Sequence, residues 1–312
     1  MKRILFFASA AIVALASCAK TEVVYKDAPQ EIAFKQITGA MTKTTLGDDN
    51  AETMRVFAFK NDDHSPYFTP DNGLQFTPVV DADNWTATPS QYWPLSGDLD
   101  FVYFAPYSAS ASVSYAATNY KLTMELNNNN DVMYGKNVIT GSKSNDAMDA
   151  PLRHALAKVF MKVTSDLEGL VIKSFTLKTP YVSGVLEVDY QITDDNGTAK
   201  DERLNWQLNN SDDIAYTNLV VTTEKDTEYS DYHYVLPCDQ TSFEFTYTLP
   251  GNATIHTYTH NLAGNKWLDG HQYTYVIKIT ANEIKLNPDV DVWADAAPIE
   301  DIVVDPNKTD NN

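Results

Sequence analysis

Through much of this chain apolar and polar residues alternate with a period of two. The alternation recurs in Glu31-Ile32-Ala33-Phe34-Lys35, in Met54 to Phe59, in Phe101 to Phe104, in Val159-Phe160-Met161-Lys162-Val163, in Phe243-Glu244-Phe245-Thr246-Tyr247 and in Tyr273 to Ile279. A strand points successive side chains to opposite faces, so each run predicts a half-buried strand. Turn clusters separate them: Asp71-Asn72-Gly73, Asn127 to Asp131, Asp194-Asp195-Asn196-Gly197 and Leu249-Pro250-Gly251-Asn252. Gly, Asn and Asp tolerate the backbone angles that tight turns need. Helical periodicity is scarce. Pro151 to Val163 reads as a strand, because β-branched and aromatic residues gather at its end. The pattern predicts an all-β protein built as sandwiches or barrels.

The first residues follow a different rule. Lys2 and Arg3 precede an apolar run, Ile4 to Ala14, and then Leu15-Ala16-Ser17-Cys18. The run is shorter than the ~20 apolar residues a membrane span needs. Positive start, short apolar centre and small residues before a cysteine predict a lipoprotein signal peptide over residues 1–17, cut between Ser17 and Cys18. The thiol of Cys18 then carries the lipid, and palmitate-type acyl chains hold the protein to a membrane. The other cysteine is Cys238. Lipidation of Cys18 therefore leaves no intrachain disulfide, and the exported fold must stand on its core.

A length of 312 residues fits about two domains at ~100–200 residues each. The polar, aromatic-poor stretch Ser142 to Pro151 marks the boundary, giving domains over residues 44–150 and 151–294, with the first strand near 30–37. Residues 18–43 form the lipidated tether and first strand. Residues 295–312 are a polar tail with one apolar stretch holding Ile299, Ile302, Val303 and Val304. The formal charge of −19 grows by two negative units when Lys2 and Arg3 leave with the signal. So acidic a surface repels nucleic acid and anionic lipid.

Candidate chemistry is thin. His256 and His260 are four apart, but Thr254 to Thr259 alternates as a strand, and no glutamate intervenes as in a zinc-protease motif. His154 precedes a strand and has no nucleophile to serve. Asp62-Asp63, Asp81-Ala82-Asp83 and Asp194-Asp195 lack the spacing of a calcium loop and read as solvated turns. Trp85, Tyr92-Trp93-Pro94 and Phe101 to Tyr107 form an aromatic cluster whose rings alternate as inward positions do, so a core is preferred to a sugar-stacking platform. No catalytic residue, metal site or cofactor site is expected, and the chain is predicted not to be an enzyme.

Taken in order, Tyr92-Trp93-Pro94, Phe101 to Tyr107, Arg153-His154-Ala155-Leu156-Ala157-Lys158-Val159, Gly270 to Ile279 and Val290-Asp291-Val292-Trp293 resemble the fimbrillin family. The closer resemblance is to the Mfa1-like and FimA-like subunits of type V pili. It implies two tandem transthyretin-like β-sandwich domains. It also implies a fimbrial subunit exported to the cell outer membrane as a lipoprotein, displayed on the surface, and polymerised with other subunits. In such subunits a trypsin-like protease removes the lipid and the first strand, cutting after a basic residue, typically Arg. Lys43 stands at the matching place, in Gly39 to Asn50, with Thr44 as the new amino terminus. Lys43 is otherwise an exposed loop lysine. Loss of the first strand opens a sheet edge that accepts a strand from another chain. The candidate donor is the tail segment with Ile299, Ile302, Val303 and Val304. The alternative is an adhesin, a pilus tip or anchor subunit, or a glycan-binding lipoprotein that keeps its lipid. Its partner is then a host or bacterial surface glycan or protein.

Overall fold

The computed structural model describes residues 29–35, 53–68, 72–79, 84–116, 119–190, 203–216, 221–222, 232–262, 264–280 and 284–292. Within them the chain is all-β, with no α-helix among the described residues. Up to residue 154 the strands are β1 (Ala33–Lys35), β2 (Met54–Lys60), β3 (Leu74–Pro78), β4 (Asn84–Ala87), β5 (Leu99–Ala105), β6 (Ser110–Ala116), β7 (Asn119–Asn127), β8 (Met133–Gly135), β9 (Ile139–Gly141) and β10 (Leu152–His154). Beyond it come β11 (Ala157–Ser165), β12 (Val171–Lys178), β13 (Tyr181–Asp189), β14 (Leu204–Ser211), β15 (Ile214–Tyr216), β16 (Val221–Thr222), β17 (Tyr232–Val235), β18 (Cys238–Asp239), β19 (Ser242–Thr248), β20 (Ile255–Asn261), β21 (Lys266–Trp267), β22 (His271–Ile279) and β23 (Ile284–Val292).

The largest sheet runs β1-β4-β3-β2-β5-β8-β10, with β9 also on β5. Period two sorts its side chains cleanly. Met54, Val56, Ala58, Leu99, Phe101 and Tyr103 face one core with Ile32, Phe34, Phe76, Trp85 and Trp93. Phe57, Phe59, Val102 and Phe104 face another. The middle of this sheet is thus not half-buried as its alternation predicts. All seven residues of β5 are buried, because cores lie on both faces.

The second of these cores is closed by the sheet β14-β13-β7-β6, through Leu122, Met124, Leu186 and Val188. Here β7 pairs with β13 from Ser183↔Asn127 to Asp189↔Lys121. The expected division at residue 151 is therefore crossed by a shared sheet, and β10 also belongs to the first sheet. A change of composition reports exposure, whereas strand pairing is decided by which edges meet.

The remaining strands build a second sandwich. One sheet runs β16-β11-β22-β23, with β17 on β11, and the other runs β15-β12-β19-β20. Between them Phe175 lies 5.3 Å from Phe243 and 5.8 Å from Phe245, centroid to centroid, and Trp267 is fully buried. The indole N–H of Trp267 donates to the Tyr275 hydroxyl at 3.1 Å, satisfying the polar atom that burial strands. Pro151 to Val163 forms β10 and most of β11, as its residues predict, with a bend at Ala155 and Leu156 between them.

Polar contacts tie the two sandwiches. Asp269, in the turn before β22, accepts from Arg153 Nε at 2.8 Å and from the Tyr134 hydroxyl at 3.1 Å. Beside it His154 Nδ1 lies 2.8 Å from Asp131. Another buried carboxylate, Asp100 on β5, accepts from Tyr120 at 2.9 Å, Thr140 at 2.7 Å and Asn61 at 2.9 Å. Burial and that bond to Asp100 raise the Tyr120 phenol far above its usual range.

Candidate functional site

The segment 30–35 is the place where the fold depends on a short piece of chain. It is hydrogen-bonded on both sides. Along one side Ala33, Phe34 and Lys35 pair with Thr86, Trp85 and Asn84 of β4. That ladder continues as Ile32 N–H donates to the Gln91 carbonyl at 2.7 Å and Trp93 N–H to the Gln30 carbonyl at 2.9 Å. On the other side Lys35 N–H donates to the Met148 carbonyl at 2.7 Å, and Met148 N–H to the Ala33 carbonyl at 3.0 Å. Lys35 Nζ then meets Asp149 at 3.0 Å. The stretch Ser142 to Pro151 is therefore more than a connector: part of it is the neighbour of β1.

Side chains set the depth of the seat. Ile32 and Phe34, two apart and so on one face, have no exposed surface. Phe34 meets Phe76 at 5.3 Å and Phe101 at 5.4 Å, both edge to face, with Tyr103 at 6.4 Å. Such pairs contribute about 0.5–1.5 kcal/mol each beyond the area they bury. Tyr103 is anchored by donating to the Pro151 carbonyl at 2.9 Å, and burial lifts its phenol far above the usual range. Gly135 lies flat under the Tyr103 ring, where an added Cβ would come 2.7 Å from Cζ. Gly141 likewise leaves room for Trp93 and Met148. Burying Ile32 and Phe34 stabilises the fold by about 1.5–3 kcal/mol each. Without them the core beneath β4 and Met148 opens to water.

The other candidates resolve as structure. Trp85 and Trp93 sit in this core at 3% and 6% exposure, and Tyr92 is exposed beside them. The aromatic cluster is a core, as the alternation predicts. His256, Tyr258 and His260 share a face of β20: His256 stacks on Tyr247 and His260 on Phe243. Burial lowers the His260 pKa. The Asp63 carboxylate accepts from Ser65 N–H and Oγ within its turn, and those bonds pull its pKa down. Cys238 is half-buried, and burial raises its thiol. No group of three His, Cys, Asp or Glu side chains gathers for a metal among the described residues. Ser17, Cys18, Lys43, Thr44, Ile299, Ile302, Val303 and Val304 lie outside the described residues, as do Asp81, Asp83, Asp194 and Asp195.

Sequence reasoning missed two parts of the site. The pairing of Met148 with β1 left no trace, since it joins residues more than a hundred apart. The network around Asp100 did leave one, a carboxylate inside the apolar run Leu99 to Ala105.

Solved structures share this architecture. A putative cell adhesion protein from Bacteroides uniformis superposes with a TM-score of 0.54 at 13% identity, covering 85% of this chain and 99% of that one. A fimbrial protein from Bacteroides vulgatus gives 0.50 at 15% identity, over 85% and 100% of the two chains. A putative cell adhesion protein from Bacteroides ovatus gives 0.51 at 11%, over 87% and 100%. Among curated proteins none matches the chain. The model of the fimbrillin-like family matches residues 38–293, most of the chain, and on that match this protein belongs to the fimbrillin-like family of structural pilus subunits.

Proposed function

We propose that the chain is a fimbrial building block assembled by exchange of its first strand. Cys18, freed by cleavage after Ser17, carries the lipid that brings the subunit to the outer membrane. A protease of trypsin-like specificity then cuts between Lys43 and Thr44. Lys43 lies in the sequence between β1 and β2, so the cut leaves β1 held by noncovalent contacts alone. Its departure bares the edges of β4 and Met148 and the cavity that Ile32 and Phe34 fill. The tail of another subunit enters, with apolar residues from Ile299, Ile302, Val303 and Val304 taking the vacated places. Ile302 and Val304 have the two-residue spacing of Ile32 and Phe34, and Val303 turns to the opposite face.

One observation carries this reading: a segment of six residues, Gln30 to Lys35, bonded on both sides, supplies two wholly buried side chains, Ile32 and Phe34, to a core otherwise built by later strands. The relatives described as fimbrial and cell adhesion proteins fit it. Amino-terminal sequencing of protein sheared from cells is the test, with Lys43→Ala in parallel. A mature end at Thr44 in high-mass oligomers that survive dilution and detergent and come apart on heating, a form lost in Lys43→Ala, is the expected result. Protein that stays acylated at Cys18 and monomeric in both would overturn it and favour an anchor or adhesin that keeps its lipid.

A further inference from the structure

The sheet β14-β13-β7-β6 ends on two strands with neither a charged residue nor a proline. These edges are seven and eight residues long, in a chain of which 21% is charged. Its charges sit on the inner strands instead: Lys121 and Glu125 on β7, Glu187 and Asp189 on β13. That inverts the usual arrangement, in which lysine, proline or shortness guards an exposed edge. The sequence of β23, the edge of another sheet, is guarded in the ordinary way, with Lys285, Pro288, Asp289 and Asp291. Among the described residues neither β6 nor β14 has a strand on its outer side.

We propose that this sheet is a lateral contact between copies of the chain, β6 of one copy pairing with β14 of the next. Direction supports it first. Each neighbouring pair in the sheet is antiparallel, so β6 and β14 run oppositely, and a copy shifted sideways presents its β14 antiparallel to β6 without turning over. Register supports it next. The row Ser112, Thr123, Glu187, Asn205 crosses all four strands, as does the row Ala111, Met124, Leu186, Trp206. Continued into a second copy, these rows set Ser112 opposite Asn205 and Ser110 opposite Gln207 on the exposed face. On the core side Ala111 meets Trp206 and Val113 meets Leu204, small against large. A slip of one residue would turn Trp206 toward serine, so the register is specified. The bulge in β14 pairing lies toward Ser211, away from these rows.

Charge explains why the partner is a second copy. Subunits this acidic repel, and they approach most easily where neither carries charge. The contact uses two different edges, so it does not close on itself and propagates. It leaves the seat of β1 untouched and stands or falls apart from strand exchange.

The test uses the full chain carrying Lys43→Ala, Cys18→Ser and Cys238→Ser, which removes the proposed cleavage and the native thiols. In this background Ser112→Cys and Asn205→Cys proteins are mixed under mild oxidation. Cross-linked mixed dimers are expected at about tenfold the yield of either homodimer, since facing strand residues come within disulfide reach. Ser112→Cys pairing with itself equally well would overturn the head-to-tail contact. So would a yield no higher than that of Leu95→Cys, an exposed control. In sedimentation, association of the background protein should strengthen with salt. Ser112→Lys with Asn205→Lys should weaken it about tenfold, as facing like charges do, with circular dichroism and melting unchanged. A background protein that stays monomeric at every salt concentration would refute the contact.

Discussion

The core under β1 and the core between β12, β19, β11 and β22 are both packed with aromatics, yet they are assembled in different ways. In the second, Phe175, Phe243, Phe245, Trp267 and Tyr275 come from strands that are long, or tightly tied to long ones, within residues 157–279. Removing one element there would tear out most of a sheet. In the first, the wall near Phe76 and Phe101 is completed by Ile32 and Phe34, borne on three to six residues from the far end of the chain. Such a piece can leave while the strands around it keep one another as partners. The proposed exchange rests on how little backbone carries the buried surface, and not on how well that surface is packed.

The largest effect that can test this contrast is removal of the strand. A protein beginning at Thr44 should lose stability in the β1 core alone, seen as a separate, lower melting transition or as hydrogen exchange confined to β3, β4 and β5. A synthetic peptide spanning Gln30 to Lys35 should restore it by binding the folded form. If the whole molecule melts early and the peptide does nothing, the two cores are not separable in the way described. Next in size, Phe34→Ala and Phe245→Ala should each cost about 3–5 kcal/mol in denaturant titrations. The peptide should repair the first and leave the second unchanged.

A smaller loss is expected at the buried Asp100 carboxylate, which accepts from buried Tyr120 and from the more exposed Asn61 and Thr140. Asp100→Asn should cost about 1–3 kcal/mol, because one amide oxygen cannot replace both carboxylate oxygens: either Tyr120 or the Asn61 and Thr140 pair is left facing an NH2 group that cannot accept. Smallest is a pH effect in the second sandwich. Burial lowers the His260 pKa in the folded chain, so the unfolded chain binds its proton first. Stability present above the unfolded value of about 6.5 should fall as pH drops below it. His260→Gln should flatten that part of the stability profile, and an unchanged slope would remove His260 as its source.

Much of the fold was legible because strands advertise themselves locally. Phe243-Glu244-Phe245 and Tyr273 to Ile279 alternate, and alternation survives whatever the partner is. The importance of Ile32 and Phe34 was legible only in part. Their alternation announced a strand, while their complete burial depended on Met148 and on residues Asn84 to Trp93 arriving on either side. The burial of β5 on both faces was likewise hidden, since Leu99 to Ala105 reads the same whether one sheet covers it or two cores do. Asp100 showed as an anomaly in that run without disclosing its partners.

By itself, then, the sequence determined strand against helix, the places of the turns, the inward face of most strands and the strongly acidic charge. Those properties are written in neighbours a few residues apart. Only the tertiary structure decided that β7 joins β13 across residue 151, that Ile32 and Phe34 complete a core, and that the uncharged strands β6 and β14 are edges. Pairing is a relation between distant segments whose backbones offer the same donors and acceptors everywhere, so no local pattern can choose among them.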